Sequence, residues 1–425
     1  MTRRAALDTA ALAEIETRLA ATDELLANNY PGDDGARQPI HTAYIPADRY
    51  APRVPAAWGT EALAAAGGTA GLSALAAKLG LQTPEVLAEL VTAKLQNEPI
   101  EDLRLDFEDG FGNRSDAEED AAVIQAAREV ATAVAEGIAP PFIGIRFKCF
   151  EAPTRDRGVR TLDLFISELV AMGPLPQGLV LTLPKVTTIA QVEAMVFICE
   201  KLEAAHNLPH GRLRFEVQME TPQLILSHEG TVPSAALIHA GKGRVTSLHY
   251  GTYDYSASLG IAAAYQSMEH PAADYAKNVM QVAIAGTGVH MSDGSTNILP
   301  LGEPEAMEAA WALHARLVRR HLERGIYQGW DLHQNQLVTR YLATYAFYRE
   351  GFEAAATRLR NYVHKIESAI MDEPATAKAL ANFIRRGLIC GALTEAEITS
   401  AAQIDVATLE SIALARATQS EDSLV

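Results

Sequence analysis

Eight short runs of β-forming residues recur along this chain at a nearly constant interval. That interval restricts the fold more than any other feature. The runs are His41–Ile45, Leu103–Phe107, Phe142–Phe147, Leu179–Leu183, Leu213–Met219, Val245–Tyr250, Gly286–Met291 and Gln328–His333. From the second onward they start 39, 37, 34, 32, 41 and 42 residues apart. The stretches between them are rich in Ala, Leu and Glu and carry a helical period. Parallel strands need a crossover of a dozen or more residues, usually a helix, and this is the spacing of strand, helix and next parallel strand. Eight such units predict a TIM (β/α)8 barrel; a doubly wound sheet is the alternative, because strand order is not written in a sequence.

The remaining chain reads as helical. Residues 8–29 place Leu12, Ile15, Leu19 and Leu26 at helical spacing, and Tyr30-Pro-Gly-Asp-Asp-Gly35 then breaks the helix. The first connection, 46–102, holds two helical stretches, Thr60–Leu79 and Pro84–Leu95. Residues 334–425 are mainly helical, with breaks near Asp372-Glu-Pro374 and Gly387. The expected division is an N-terminal helical extension (1–40), a catalytic barrel (41–333) and a C-terminal helical extension (334–425). The last part would supply the final barrel helix and a lid or oligomerisation segment, in a homo-oligomer, a trimer or hexamer.

Charge excludes several partner classes. Asp+Glu number 53 against 36 Lys+Arg, a net −17, whereas nucleic acid or an anionic membrane demands a basic face. No run approaches the ~18–20 apolar residues of a membrane span, and the N-terminus shows no apolar signal segment. Cys149, Cys199 and Cys390 are too few and too scattered for a disulfide framework or a zinc site. These readings place the protein in the cytoplasm, with neither nucleic acid nor membrane as partner.

In a barrel, chemistry sits at the C-terminal ends of the strands. Those ends here read Asp106-Phe-Glu-Asp109, Arg146 with Lys148, Leu183-Pro-Lys185, Gln218-Met-Glu220-Thr-Pro222, Tyr250-Gly-Thr-Tyr-Asp254, His290-Met-Ser-Asp293 and Asp331-Leu-His333. Glu108, Asp109, Glu220 and Asp254 would bring four carboxylates to one mouth, which a cation must neutralise unless some are protonated. Oxygen ligation suits Mg²⁺ or Mn²⁺. Glu220 and Asp254, on adjacent strands, are the expected direct ligands, with Glu108 and Asp109 acting through metal-bound waters. Arg146 is the expected clamp for a substrate carboxylate; an ion pair inside the barrel with Glu108 or Glu220 is its structural alternative. Lys185, Arg155 and Arg157 are further substrate-binding candidates, although the Arg155–Arg160 loop reads equally as a solvated loop. His249 and His290 lie near strand ends and are candidates for proton transfer or for wall residues.

Taken in order, Asp106-Phe-Glu-Asp-Gly110, Ile145-Arg146-Phe147, Leu183-Pro-Lys185-Val186, Met219-Glu220-Thr221 and Gly251-Thr-Tyr-Asp254 resemble the HpcH/HpaI aldolase, citrate lyase beta-subunit-like family. Gly329-Trp-Asp-Leu-His333-Gln-Asn-Gln336 is similar to that family's late Gly-Lys-x-x-Ile-His-Pro-x-Gln segment, with Trp330 in place of Lys and Gln334 in place of Pro. The resemblance spans roughly residues 40–340. It implies a Mg²⁺-dependent carbon–carbon lyase or aldolase that cleaves or forms a hydroxy- or oxo-acid, or its CoA thioester, through a metal-stabilised enolate. In that reading Glu220 and Asp254 hold the metal, Arg146 clamps the substrate carboxylate, and Glu108 and Asp109 partner the metal-bound water. The departures around Trp330 and after Phe147 bear on CoA dependence. Two general acid/bases stand open: a metal-bound water held by Asp109, or a carboxylate from another subunit's C-terminal extension. Three alternatives also stand: a condensing enzyme of malate-synthase type, a phosphoryl-transferring barrel, and a non-catalytic barrel subunit of a larger complex. The second lacks a phosphate-binding loop, since Gly286-Thr-Gly288 is not followed by Lys and Ser/Thr.

Overall fold

The computed structural model describes residues 6–366 and 373–414. Nine strands form one sheet: β1 (His41–Pro46), β2 (Asp102–Asp106), β3 (Phe142–Arg146), β4 (Gly178–Leu179), β5 (Leu181–Leu183), β6 (Phe215–Met219), β7 (Val245–Tyr250), β8 (His290–Ser292) and β9 (Gly329–Asp331). Every strand pair is parallel, and the order runs β8-β7-β6-β5-β3-β2-β1-β9 with β4 beside β3. Since β4 and β5 are one strand interrupted at Val180, this is an eight-stranded barrel. A parallel bridge between Ser292 and Gln328, with the Asp293 N–H donated to the Gln328 carbonyl at 2.8 Å, joins its two ends. The barrel therefore replaces the doubly wound alternative. The interruption at Val180 has a local cause: a Cβ on Gly144 would overlap the Val180 carbonyl, so only glycine lets the chains approach there.

Alternation along the strands separates two environments. In β2, Leu103 and Leu105 belong to the apolar layer under the helices, while Arg104 reaches across the barrel to Thr182 and Glu216. Arg104 also pairs with Asp102, so three buried charges from β2 and β6 fill the middle of the barrel with ionic contacts instead of the usual branched aliphatics.

The helices are α1 (Thr9–Asn29), α2 (Val54–Ala65), α3 (Gly68–Lys78), α4 (Pro84–Asn97), α5 (Asp116–Ala135), α6 (Arg155–Met172), α7 (Ile189–Ala205), α8 (Pro233–Ala240), α9 (Thr252–Ser258), α10 (Pro271–Ile284), α11 (Pro304–Glu323), α12 (Gln334–Val363), α13 (Pro374–Ile389), α14 (Glu395–Ala402) and α15 (Val406–Leu414). The single stretch expected over Thr60–Leu79 is two helices, because Gly67 and Gly68, at the start of α3, both take positive φ (80° and 69°). The strand expected from Gly286 begins four residues later at His290, since Gly286 and Gly288 also sit at positive φ. The break expected near Gly387 falls at Gly391 instead, and α13 runs through Gly387, whose missing Cβ admits Leu393 and Tyr348. Of the break expected at Asp372-Glu-Pro374, Asp372 lies outside the described residues.

The long α12 begins directly after β9 and is almost wholly buried along its first half. Its Arg340 grips Asp331, which also takes His41 Nδ1–H at 2.7 Å. Its second half shares a separate apolar cluster with α13, α14 and α15, built on Phe352, Leu359, Ile384, Ile398 and Leu409. Among the described residues no helix is long and apolar enough to cross a membrane.

Candidate active site at the barrel mouth

The mouth is assembled by strand register. Asp106 and Arg146 are directly paired neighbours at the ends of β2 and β3. The Arg146 guanidinium lies fork to fork on Asp106, donating Nε to Oδ1 at 2.7 Å and Nη2 to Oδ2 at 2.6 Å. Asp106 also accepts the N–H groups of Glu108 (3.0 Å) and Gly110 (2.7 Å), and these bonds curl the loop that carries Glu108 and Asp109. Burial works to raise the Asp106 pKa, but Arg146 and the two N–H donors together hold it below the ordinary value. The ion pair weighed for Arg146 with Glu108 thus exists, beside a closer one with Asp106. Its remaining nitrogen, Nη1, faces Glu108 Oε2 at 3.3 Å, and its plane lies over the Tyr44 ring, 4.9 Å from the centroid.

Lys185 is the second organiser. It follows β5 with φ +48°, a left-handed conformation rare outside glycine. Its N–H donates to Glu220 Oε1 at 2.8 Å. Its ammonium meets Glu108 Oε1 at 2.6 Å, Asp109 Oδ1 at 2.8 Å and Asp254 Oδ2 at 3.7 Å. Although burial opposes its charge, Glu108 and Asp109 raise the Lys185 pKa far above the usual lysine range. Glu220 sits just past β6, packed so closely on Gly251 that a Cβ there would strike its carboxylate. Burial first, then the charges of Glu108 and Asp254, push Glu220 up to about 8, with Arg146 working against them. Burial likewise raises Glu108, and Asp109 adds to it.

The structure therefore brings Glu108, Asp109, Arg146, Lys185, Glu220 and Asp254 to one end of the barrel. Arg155 stands apart, exposed at the first turn of α6, where its Nε donates to the Phe150 carbonyl at 3.0 Å. It lines an open groove of about 670 Å³ between the loops after β3 and β5, together with Phe150, Thr187 and Gln191. Arg157 turns to α5, where Asp120 (2.8 Å), Glu119 (3.4 Å) and Asp116 (3.5 Å) take its guanidinium. His249 is enclosed in the barrel wall, accepting Trp330 Nε1–H at 3.1 Å, so Trp330 fills the interior beside it. His290 begins β8 and therefore lies at the opposite end of the barrel from the mouth. Sequence reasoning passed over Asp106, Tyr44 and Gln218 as site residues; Gln218 Oε1 lies 3.5 Å from Arg146 Nη1, and its Nε2 donates to the Tyr44 hydroxyl at 3.2 Å. The signal was the strand alternation that puts Asp106 on the same face as Arg104.

The divalent cation implied by the motifs can be tested against these groups. Glu108, Glu220 and Asp254 offer only carboxylate oxygens, and Glu108 Oε2 is buried without a hydrogen-bond partner, so the donor chemistry fits a hard cation. Among the described residues no three His, Cys, Asp or Glu side chains already converge as a metal-holding group. The Lys185 ammonium lies among three of the carboxylates instead.

Among solved structures, the chain is similar to a malate synthase from Haloferax volcanii at 15% identity and TM-score 0.49, over 72% of this chain and 74% of that one. It is similar to the protein CitE from Mycobacterium tuberculosis in complex with magnesium, acetoacetate and coenzyme A at 17% identity and TM-score 0.47, over 83% and 99% of the two chains. A citrate lyase beta subunit complexed with oxaloacetate and magnesium, from the same organism, matches at 16% identity and TM-score 0.41, over 73% and 98%. No curated protein matches the sequence. A family model covers nearly the whole chain, residues 19–417, and the protein accordingly belongs to the family described as domain of unknown function DUF6986.

Proposed function

We propose that the mouth binds a small hydroxy- or oxo-acid and, with Mg²⁺ or Mn²⁺, cleaves or forms a carbon–carbon bond next to its carboxylate. The observation that carries this is the convergence of Glu108, Asp109 and Asp254 on the Lys185 ammonium, with Glu220 on the main-chain N–H of the same residue, beside a buried, forked arginine. When bound, the cation supplies Lewis-acid stabilisation of an enolate, with Glu220 and Asp254 as the residues to hold it. Arg146 serves as a rigid anchor: Asp106 fixes its plane, and a substrate oxygen would take Nη1 in competition with Glu108. Glu108 and Asp109 hold the water or substrate hydroxyl nearest the reacting carbon. Lys185 sets the Glu220 carboxylate through its main chain and adds a second positive charge for the acid. Arg155, on the groove rim, is positioned for the far end of a longer substrate such as a CoA thioester.

The test is direct. Glu220→Gln and Asp254→Asn are assayed for Mn²⁺ binding by electron paramagnetic resonance, and for metal-dependent cleavage of hydroxy- and oxo-acids with and without CoA. We expect loss of most bound Mn²⁺ and at least a hundredfold loss of turnover. Full retention of both would overturn the assignment. Product analysis with glyoxylate and acetyl-CoA separates the lyase from the condensing reading.

A further inference from the structure

The barrel has a second polar enclosure, at the end where its strands begin. A cavity of about 150 Å³ lies there, far more than the ~10–15 Å³ that one water needs. The segment before β1 roofs it. Gly32 donates its N–H to the Gly286 carbonyl at 2.8 Å, Arg385 bonds the Gly35 carbonyl, and Arg386 Nη1 bonds Gln38 Oε1 at 2.8 Å.

This end of a barrel ordinarily serves stability, and a wall built for stability spends its polar groups on one another. Part of this wall does so. Arg104 is paired with Asp102 and Glu216, and Arg37 with Glu98 and Glu101. The rest is unspent. Among the described residues Arg212 makes no ion pair and bonds the main-chain carbonyls of Leu175 and Pro176. Arg214, one residue ahead of β6, makes no ion pair among the described residues. Ser247 is 6% exposed and its Oγ is buried with no hydrogen-bond partner. The His290 side chain makes no hydrogen bond among the described residues. The placement is coherent: Ser247 and His290 are register partners on β7 and β8, and Arg212 and Arg214 lead into the neighbouring β6. Two guanidinium groups, a hydroxyl and an imidazole therefore border one cavity, while the molecule as a whole carries −17. Across from them, Asp34 Oδ1 accepts the Ala36 N–H within the roof.

We infer that this cavity is a second small-molecule site, for a compact anion with carboxylate or phosphate oxygens, held by Arg212 and Arg214 and hydrogen-bonded to Ser247 and His290. Two charged forks side by side suit a group with two or more oxygens, and Ser247 supplies the buried donor that fixes its orientation.

Inorganic phosphate and malonate, titrated calorimetrically into the full chain, tell the two oxygen chemistries apart. Selenate soaked into crystals locates the anion by its anomalous signal. We expect selenate against Arg212, Arg214 and Ser247, and roughly tenfold weaker binding of the preferred anion in Arg214→Gln and in Ser247→Ala. Arg214 is exposed, so its variant keeps the wild-type melting temperature; Ser247→Ala provides the buried counterpart. Binding unchanged in both variants, selenate confined to the mouth, or no binding of either anion overturns the inference. Variants at Glu220 and Asp254 leave this binding intact whatever becomes of the reaction at the mouth.

Discussion

Asp106 decides how Arg146 can act. It takes the guanidinium by two nitrogens and simultaneously ties down the Glu108 loop, so one carboxylate sets both the anchor and the acid beside it. Removing one partner of a buried pair leaves the other uncompensated. Asp106→Asn should therefore lower the urea unfolding free energy by about 3–5 kcal/mol, with Arg146→Lys costing less stability but abolishing the bidentate geometry. Lys185 is a competitor as well as a support. With its ammonium removed, the carboxylates repel one another more strongly and attract a cation more strongly. Lys185→Met should tighten Mn²⁺ binding about tenfold, or ~1.4 kcal/mol, measured by resonance titration in the absence of substrate. The candidates Glu108, Asp109, Arg146, Glu220 and Asp254 were legible in the sequence because each ends or closely follows a strand. Asp106 was not recognised, because its role depends on a neighbour forty residues away. Arg157 could not be told from a mouth residue, because its direction is set by the acidic face of α5.

At the scale of elements, register does the positioning. β2 and β3 pair over five consecutive residues, and this alone puts Asp106 against Arg146. The Gly144 gap beside Val180 belongs to the same device, since β3 must approach the interrupted strand closely. Gly144→Ala forces the two main chains apart; we expect a loss of at least 1–3 kcal/mol in chemical unfolding. At the other extreme stands α1. None of its residues is buried, and Leu12, Leu19, Leu25 and Leu26 are each about half exposed. Replacing Leu12, Leu19 and Leu26 with Glu should leave the thermal midpoint of the monomer unchanged within about 1 °C, a scanning calorimetry measurement. The helix itself was readable from its period, but that it buries no residue against the described chain was not. A periodic apolar face has the same appearance in sequence whether or not something covers it.

For the whole molecule, buried titratable groups set the response to pH. Burial holds His249 and His290 down to about 4 and His321 to about 3, assisted by Arg386 at His290 and by Arg340 at His321. His249 is held neutral although Glu216 pulls its pKa the other way. The unfolded chain takes up these protons near pH 6.5, whereas the native state refuses them until about 4. Stability fully present above 6.5 is thus lost progressively as the pH falls toward 4. Glu220 acts in the opposite direction: held up to about 8, it keeps its proton while the unfolded chain gives it up near 4.5, so its contribution worsens as the pH rises from 4.5 to 8. With divalent ions chelated, urea unfolding should show stability rising between pH 4 and 6.5. His249→Gln should reduce the slope there by about one proton, ~1.4 kcal/mol per pH unit, and Glu220→Gln should be more stable than wild type at pH 8.

Eight parallel strands, the helices between them and the strand ends at which acids and bases collect are written in the sequence; closure of the sheet into a barrel is not. These follow from local periodicity and crossover length, which operate within some forty residues. Tertiary structure alone decided which charges neutralise which. Asp106 takes Arg146, α5 takes Arg157, Lys185 lies among the mouth carboxylates, and Arg214 and Ser247 remain unspent at the far end. Such choices depend on distances of a few ångströms between residues remote in the chain. At those distances, in a poorly solvated interior, each pairing outweighs any preference that local sequence can express.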